Sequence, residues 1–307
     1  MIQIDMDKKL FSWGRAFYPG PLILLVLLLQ HCLPIPGQPV ARAADDVERP
    51  APPKAGSERQ PPSFDKPFAV EVPILVYHHI RQPVSFSSRA ERRLTVTPEV
   101  FDRQMKYLQE NGYHVIPFAS LVGYLKRESE LPDKPVIISF DDGWEDQFVN
   151  ALPRLEEYHY NATFFVITNF IDAPGFLSWP QLRRILAAGM EIGSHTRSHP
   201  RLDKIKNPGM LWDQIYASKQ TLESQLGAAV EEFAYPFGSY NAAAASMVRS
   251  AGYSAARACC IGRVQSDAYA LRAVMAPNDL AKFGKYLGAP PVSARARSKS
   301  PRGRAGW

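Results

Sequence analysis

Two adjacent carboxylates, Asp141 and Asp142, stand between the apolar run 136–140 and Gly143. Like charges this close are costly unless a cation compensates one of them, and the other is then free to take a proton. His195 and His199 follow, four residues apart. Two imidazoles at that spacing reach one ion from a helical turn or a tight loop, and neutral imidazole suits zinc-like ions. Two His and one carboxylate leave open positions for water and substrate, as a catalytic rather than a structural ion needs. Tyr77-His78-His79 offers more imidazole, and Tyr235-Pro236-Phe237-Gly238 is a Pro/Gly turn whose aromatics can wall a groove. Each motif also has a bland reading: Asp-Asp-Gly is ordinary turn chemistry, and a His pair alone is weak evidence.

These motifs share a position. Each follows a short apolar run that reads as a strand, so all fall at strand C-terminal ends, the rim that carries chemistry in parallel α/β folds. Strands are expected at 72–79, 114–116, 136–140, 162–167, 190–194, 232–235, 253–257 and 271–275. Between them the pattern predicts helices at 98–111, 118–127, 146–159, 180–188, 208–226 and 242–251. Thr97 with Pro98 starts the first of these, Gly112 stops it, and Ser178 with Gln181 makes a capping box. Strands alternating with helices imply right-handed βαβ units, and seven or eight of them imply a (β/α) barrel, complete or not. An open doubly wound sheet is the second choice. No Gly-x-Gly-x-x-Gly or P-loop pattern follows a strand, which argues against a nucleotide site.

The net charge of +6 is concentrated at one end: Arg295, Arg297, Lys299, Arg302 and Arg304 lie in 291–307 without an acidic residue. Taking those five charges from +6 leaves +1, so the body does not read as a nucleic-acid binder. Residues 289–307 are expected to be a basic disordered tail. Lys8, Lys9 and Arg15 precede an apolar run at 22–29, and Ala41-Arg42-Ala43 offers small residues for cleavage. Residues 1–43 thus read as a signal peptide, or as an N-terminal anchor that attaches the chain to a membrane. Residues 44–67 are a Pro-rich linker, and the folded domain is expected over 68–288. Export to the periplasm, the cell surface or the medium follows. Cys32, Cys259 and Cys260 are the only cysteines, and no structural disulfide is expected from them.

Taken together, Ser139-Phe140-Asp141-Asp142-Gly143, His195 with His199, and Tyr235-Pro236-Phe237-Gly238 resemble the polysaccharide deacetylases of carbohydrate esterase family 4 over about residues 70–280. The resemblance implies one catalytic domain, a distorted (β/α)7 barrel. It implies Asp141 as general base and Asp142, His195 and His199 as ligands of a divalent metal, Zn2+ first, with Co2+, Ni2+ or Fe2+ also acceptable. It implies hydrolysis of N-acetyl groups on an aminosugar polymer, with Trp144, Tyr235 and Phe237 on the substrate side and a backbone N–H near Phe237 facing the oxyanion.

Two departures from the family pattern stand out. Where the family often has an Arg that orients the base, this chain has Ala234, and Arg272 is the substitute that the sequence offers. The family often carries a C-terminal His as general acid, yet no His follows His199. His78 is the candidate for that role. Tyr77-His78-His79 also resembles the opening motif of the branch acting on poly-β-1,6-N-acetylglucosamine of biofilm matrices, which makes that polymer the expected partner. The rival readings are a non-catalytic glycan-binding relative and a metal-dependent O-deacetylase or amidase.

Overall fold

The computed structural model describes residues 68–83, 88–258 and 262–288. The expected leader, linker and tail, and all three cysteines, fall outside these residues.

Seven parallel strands form the frame among the described residues, β1 (Ile74–Tyr77), β2 (Pro135–Phe140), β3 (Thr163–Val166), β4 (Glu191–Ser194), β5 (Glu232–Ala234), β6 (Ala255–Arg257) and β7 (Val274–Met275), and the short expected strand His114–Val115 pairs in parallel with the start of β2 as an eighth. Their order in the sheet is β6-β5-β4-β3-β2-β1-β7. Each strand from β1 to β6 therefore lies beside its predecessor in the chain, and β7 returns to the far side of β1. Leu271, just before β7, pairs in parallel with Arg257 of β6, while Val274 and Met275 pair with Leu75 and Val76 of β1. One segment thus bonds both edges of the curled sheet, and the result is a distorted (β/α)7 barrel rather than an open sheet.

The strands are buried on both faces, as parallel strands between a barrel interior and a helical shell must be. Outward residues such as Leu75, Tyr77, Val136, Ile138, Phe140, Phe164 and Phe233 pack in one cluster. Inward residues Ile74, Val76, Ile137, Phe165, Ala234, Ala255, Leu271 and Ala273 form another. Because side chains alternate with period two, slipping a strand by one residue would exchange these two sets, so the register is strongly specified. Each Val, Ile or Phe kept from water in this way contributes about 1.5–3 kcal/mol.

The helices follow their sequence signals. α1 (Pro98–Glu110) is capped by the Thr97 hydroxyl accepting from the N–H of Val100, and Asn111 and Gly112 (φ 66°) end it. α2 (Phe118–Leu125) leads into β2. α3 (Leu152–Tyr158) begins with a π-helical turn at Gln147–Ala151. α4 (Trp179–Ala187) carries the expected capping box of Ser178 and Gln181. The helix expected at 208–226 runs over that span but is interrupted by a second π turn at Asp213–Ala217 before α5 (Ser218–Leu226). α6 (Ala242–Ser250) and α7 (Leu280–Tyr286) complete the helices that matter here. No helix among the described residues is long and apolar enough to cross a membrane.

Candidate metal centre and catalytic site

The register aligns the strand ends. Tyr77 pairs with Phe140, Val166 with Ser194 and Arg257 with Ala234, so the residues just beyond them share one rim. Period-two alternation then gives His78, Asp141, His195 and Arg257 the same inward phase as Val76, Ile137, Gly193 and Ala255. Four non-glycine residues here have left-handed backbones: Asp142 (φ 72°), Thr196 (φ 70°), His199 (φ 61°) and Phe237 (φ 59°). Such conformations are uncommon away from Gly and concentrate at functional sites.

Asp142, His195 and His199 come together, with their ligand atoms within 4.8 Å of one another. Asp142 Oδ1 lies 3.6 Å from His195 Nε2 and 3.5 Å from His199 Nε2. Donors about 2.1 Å from one ion at tetrahedral angles are about 3.4 Å apart, so these separations fit a shared cation. Asp142 Oδ1 is buried and has no hydrogen-bond partner. His195 Nδ1 bonds the carbonyl of Ala234 at 2.8 Å, which puts the proton on Nδ1 and turns the Nε2 lone pair to the cluster. Desolvation by burial pushes His199 down to about 4, with His195 adding to the effect, so its imidazole is neutral and ligand-ready at neutral pH. The residues present therefore fit a divalent ion.

Asp141 faces the other way. Its Oδ1 accepts a hydrogen bond from Arg257 Nη2, and its Oδ2 is 4.0 Å from His78 Nε2. Burial alone would raise the Asp141 carboxyl, but Arg257, His195 and His78 together hold it below the usual range. Asp142 is likewise kept ionised against burial by His78, His199 and His195. Burial lowers His78, and the two carboxylates oppose that shift. The arrangement is a carboxylate able to accept a proton, a second carboxylate able to ligate, and an imidazole beside both.

Several surrounding residues carry this geometry without a sequence signal. Gln147, fully buried in the π turn before α3, donates from Nε2 to the carbonyls of His78 (2.7 Å) and Asp141 (2.6 Å). The second π turn supplies Asp213, which takes both contacts from Arg197 Nη1 at 2.8 and 2.7 Å, and Gln214, which accepts from the N–H of Ser198 at 3.0 Å. Both π turns thus hold loops that bear site residues, a common use of this conformation. Arg257 lies with its guanidinium carbon 5.2 Å from the centroid of Phe165. Gly193 leaves room for that ring, since a Cβ there would come within 2.4 Å of Phe165 Cδ1.

Three expectations need correction. Arg272 does not reach Asp141: it alternates with Leu271 and Ala273, both buried inward, and is itself exposed. Arg257 occupies the place beside Asp141 instead. Tyr235 is 1% exposed, packed between Phe233 and Tyr240, with its hydroxyl bonded to the carbonyl of Tyr269. Its side chain therefore offers nothing to a ligand. Both faces of Trp144 are covered, by His79 and Phe176 at 4.3 Å each, so it is no open platform for a sugar. Phe237 does sit at the site, half exposed, with its ring 4.6 Å from that of His199. His79, unlike His78, turns away to Asp146, with its Nδ1 2.7 Å from Oδ2.

Residues 128–256, which run from before β2 into β6 and include Asp141, Asp142, Gln147, His195, His199 and Phe237, match the family model described as polysaccharide deacetylase. That match assigns residues 128–256 to a polysaccharide deacetylase domain. YxkH of Bacillus subtilis (strain 168) is 29% identical over 183 residues, 60% of this chain and 62% of that protein. The poly-beta-1,6-N-acetyl-D-glucosamine N-deacetylase of Staphylococcus aureus (strain MRSA252) is 26% identical over 255 residues, 75% of this chain and 83% of that protein. Among solved structures, the Streptococcus pyogenes deacetylase PplD in complex with acetate superposes with a TM-score of 0.65 at 25% identity, covering 73% of this chain and all of that one. The deacetylase domain thus keeps company with named N-deacetylases, hydrolases of amide bonds.

Proposed function

We propose that this chain is a metal-dependent hydrolase that removes N-acetyl groups from an N-acetylglucosamine polysaccharide. The observation that carries the reading is the division of labour between two neighbouring carboxylates. Asp142 turns a partnerless oxygen to two imidazoles, while Asp141 is held ionised by Arg257 with His78 beside it. A divalent cation held by Asp142, His195 and His199 would supply Lewis acidity to the acyl oxygen and make a water more acidic. Asp141 takes the proton of the attacking water as the new C–O bond forms. The neighbouring imidazole of His78 returns a proton to the sugar nitrogen as the C–N bond breaks, so acetate and a free amine leave. Burial lowers the proton affinity of His78, and the two carboxylates beside it offset part of that loss. Phe237, exposed over His199, is the group placed to touch the acetyl or the sugar ring.

The name of the Staphylococcus relative supports a β-1,6-linked polymer as the first substrate to try. A polymer of the matrix or surface requires export, for which residues 1–43 carry the leader pattern. The test is acetate release from β-1,6-linked N-acetylglucosamine oligomers, with and without added Zn2+, Co2+ or Ni2+, beside Asp141→Asn and His195→Ala. Release that requires metal and is lost in both variants supports the reading. Metal binding without acetate from β-1,6- or β-1,4-linked oligomers refutes it.

A further inference from the structure

Trp144 follows the acidic pair by two residues, and the obvious use of an indole beside a sugar site is to stack on the ring. The contacts exclude that use. His79 covers one side and Phe176 the other, each with ring centroids 4.3 Å away. What remains is the indole edge, and its Nε1 donates to Asp142 Oδ2 at 3.0 Å. The two oxygens of Asp142 are thereby made unequal: Oδ2 is occupied by the indole, and Oδ1 is left buried, partnerless and 3.5–3.6 Å from both His Nε2 atoms.

The indole is itself fixed from behind. Trp144 pairs with Phe176 in an antiparallel bridge, flanked by Leu177 N–H to the carbonyl of Gly143 (2.8 Å) and Glu145 N–H to that of Gly175 (2.9 Å). Phe170 packs on Phe176 at 4.9 Å. The same loop reaches the His segment, with Thr168 N–H bonded to the carbonyl of Thr196 (3.2 Å) and Asn169 N–H to that of Arg197 (2.9 Å). Residues 168–177 therefore stitch the loop that bears Asp142 to the loop that bears His195 and His199. His79 closes the stack from the other side and is held in turn by Asp146.

We infer that Trp144 is a positioning residue for the metal: its N–H holds Oδ2, so that Asp142 presents Oδ1 as a single-oxygen ligand in register with the two histidines. The inference rests on the metal-site reading above. Partners of a ligand that fix its orientation typically change metal affinity by about 10–100-fold when removed. Trp144→Phe keeps an aromatic ring in the stack and deletes only the donor.

The experiment titrates the full chain, stripped of metal by a chelator, with Zn2+ and with Co2+ and follows the heat of binding, in the absence of any substrate. Trp144→Phe is expected to bind about 10–100-fold more weakly, and its KM for an oligosaccharide at saturating metal to stay at the wild-type value. Phe176→Leu, which keeps the N–H but withdraws the ring behind it, is expected to weaken binding by a smaller factor and serves if Trp144→Phe does not fold. Affinity within about threefold of wild type in the folded variant overturns the inference, since orienting partners are worth more than that. A raised KM with unchanged metal affinity also overturns it and makes Trp144 a sugar contact. If the wild-type chain itself binds no metal, the functional reading fails, a result distinct from either of these.

Discussion

Replacing Arg257 by Met removes a guanidinium that is 1% exposed from beside a carboxylate that is 5% exposed. A Met side chain fills much of the space over Phe165 but leaves the charge of Asp141 without its main partner. Deleting one member of a buried ion pair typically destabilises by about 3–5 kcal/mol. For a domain of this size each kcal/mol moves Tm by about 2–4 °C, so a fall of about 6–20 °C is expected at neutral pH. The sign of the pH dependence follows from Asp141. In the native protein its pKa lies below the ordinary value of 3.8, so the pair's stabilisation is present above that value and is lost as pH falls through the folded pKa. In Arg257→Met burial prevails and the carboxyl is raised, so the variant loses most at pH 7 and approaches the wild type as the solution is acidified. Asp141→Asn combined with Arg257→Met removes the stranded charge and should be more stable at pH 7 than Arg257→Met alone. Urea denaturation of the metal-free proteins at several pH values, arranged as a double-mutant cycle, measures this. Losses that add to within about 0.5 kcal/mol, as for independent sites, would refute the coupling of Arg257 to Asp141.

Gln147→Ala strands the carbonyls of His78 and Asp141, each a loss of about 1–3 kcal/mol if water cannot replace the donor, and should lower kcat more than it changes KM in steady-state acetate release. His78→Ala should bind metal normally by calorimetry and lose about 10²–10⁴-fold in kcat, the usual worth of a positioned proton donor. Gly193→Ala forces Phe165 to move and should destabilise by about 1–3 kcal/mol in denaturant, with activity falling too because Phe165 lies under Arg257. Glu232, at the barrel floor, is pushed up to about 8 by burial and by Glu191 and Glu231, so the stability tied to its proton declines as pH rises from the ordinary value of 4.5 through about 8. Glu232→Gln should flatten that slope in Tm measured against pH and leave the variant more stable than wild type above pH 8.

The candidate metal cluster was legible because its members lie within five residues beyond strands whose apolar runs mark their own ends. Asp142, His195 and His199 are placed by the barrel rim, and the rim is a property of strand order alone. Arg257 carries no motif of its own and reads as the polar end of a short strand, whereas Arg272 stands in the apolar run 271–275. Side-chain parity would have separated the two: Arg257 shares the phase of buried Ala255, whereas Arg272 falls between buried Leu271 and Ala273. Gln147 was hidden for another reason. Over 146–159 the sequence signals only a helix, and nothing in that local pattern marks the π turn in which Gln147 bonds the carbonyls of His78 and Asp141. Trp144 lost its expected role to residues far off in sequence, Phe176 and His79, which no local pattern assigns to it. The elements that went unforeseen, such as Arg89–Leu94, Val70–Glu71 and Val264–Gln265, are too short for periodicity to reveal.

The closure of the barrel also sets the direction in which the enzyme faces. The folded chain enters at Phe68, crosses the floor through the pairing of Val70 with Gln265, and climbs β1 to His78 at the opposite end. Anything that leashes the domain by its N-terminal side therefore grips it from behind, with the catalytic mouth turned outward from the point of attachment. A strand of four residues at about 3.3 Å each keeps mouth and leash more than a sugar ring apart. A molecule held in that way would present its rim to what lies beyond the point of attachment rather than beneath it.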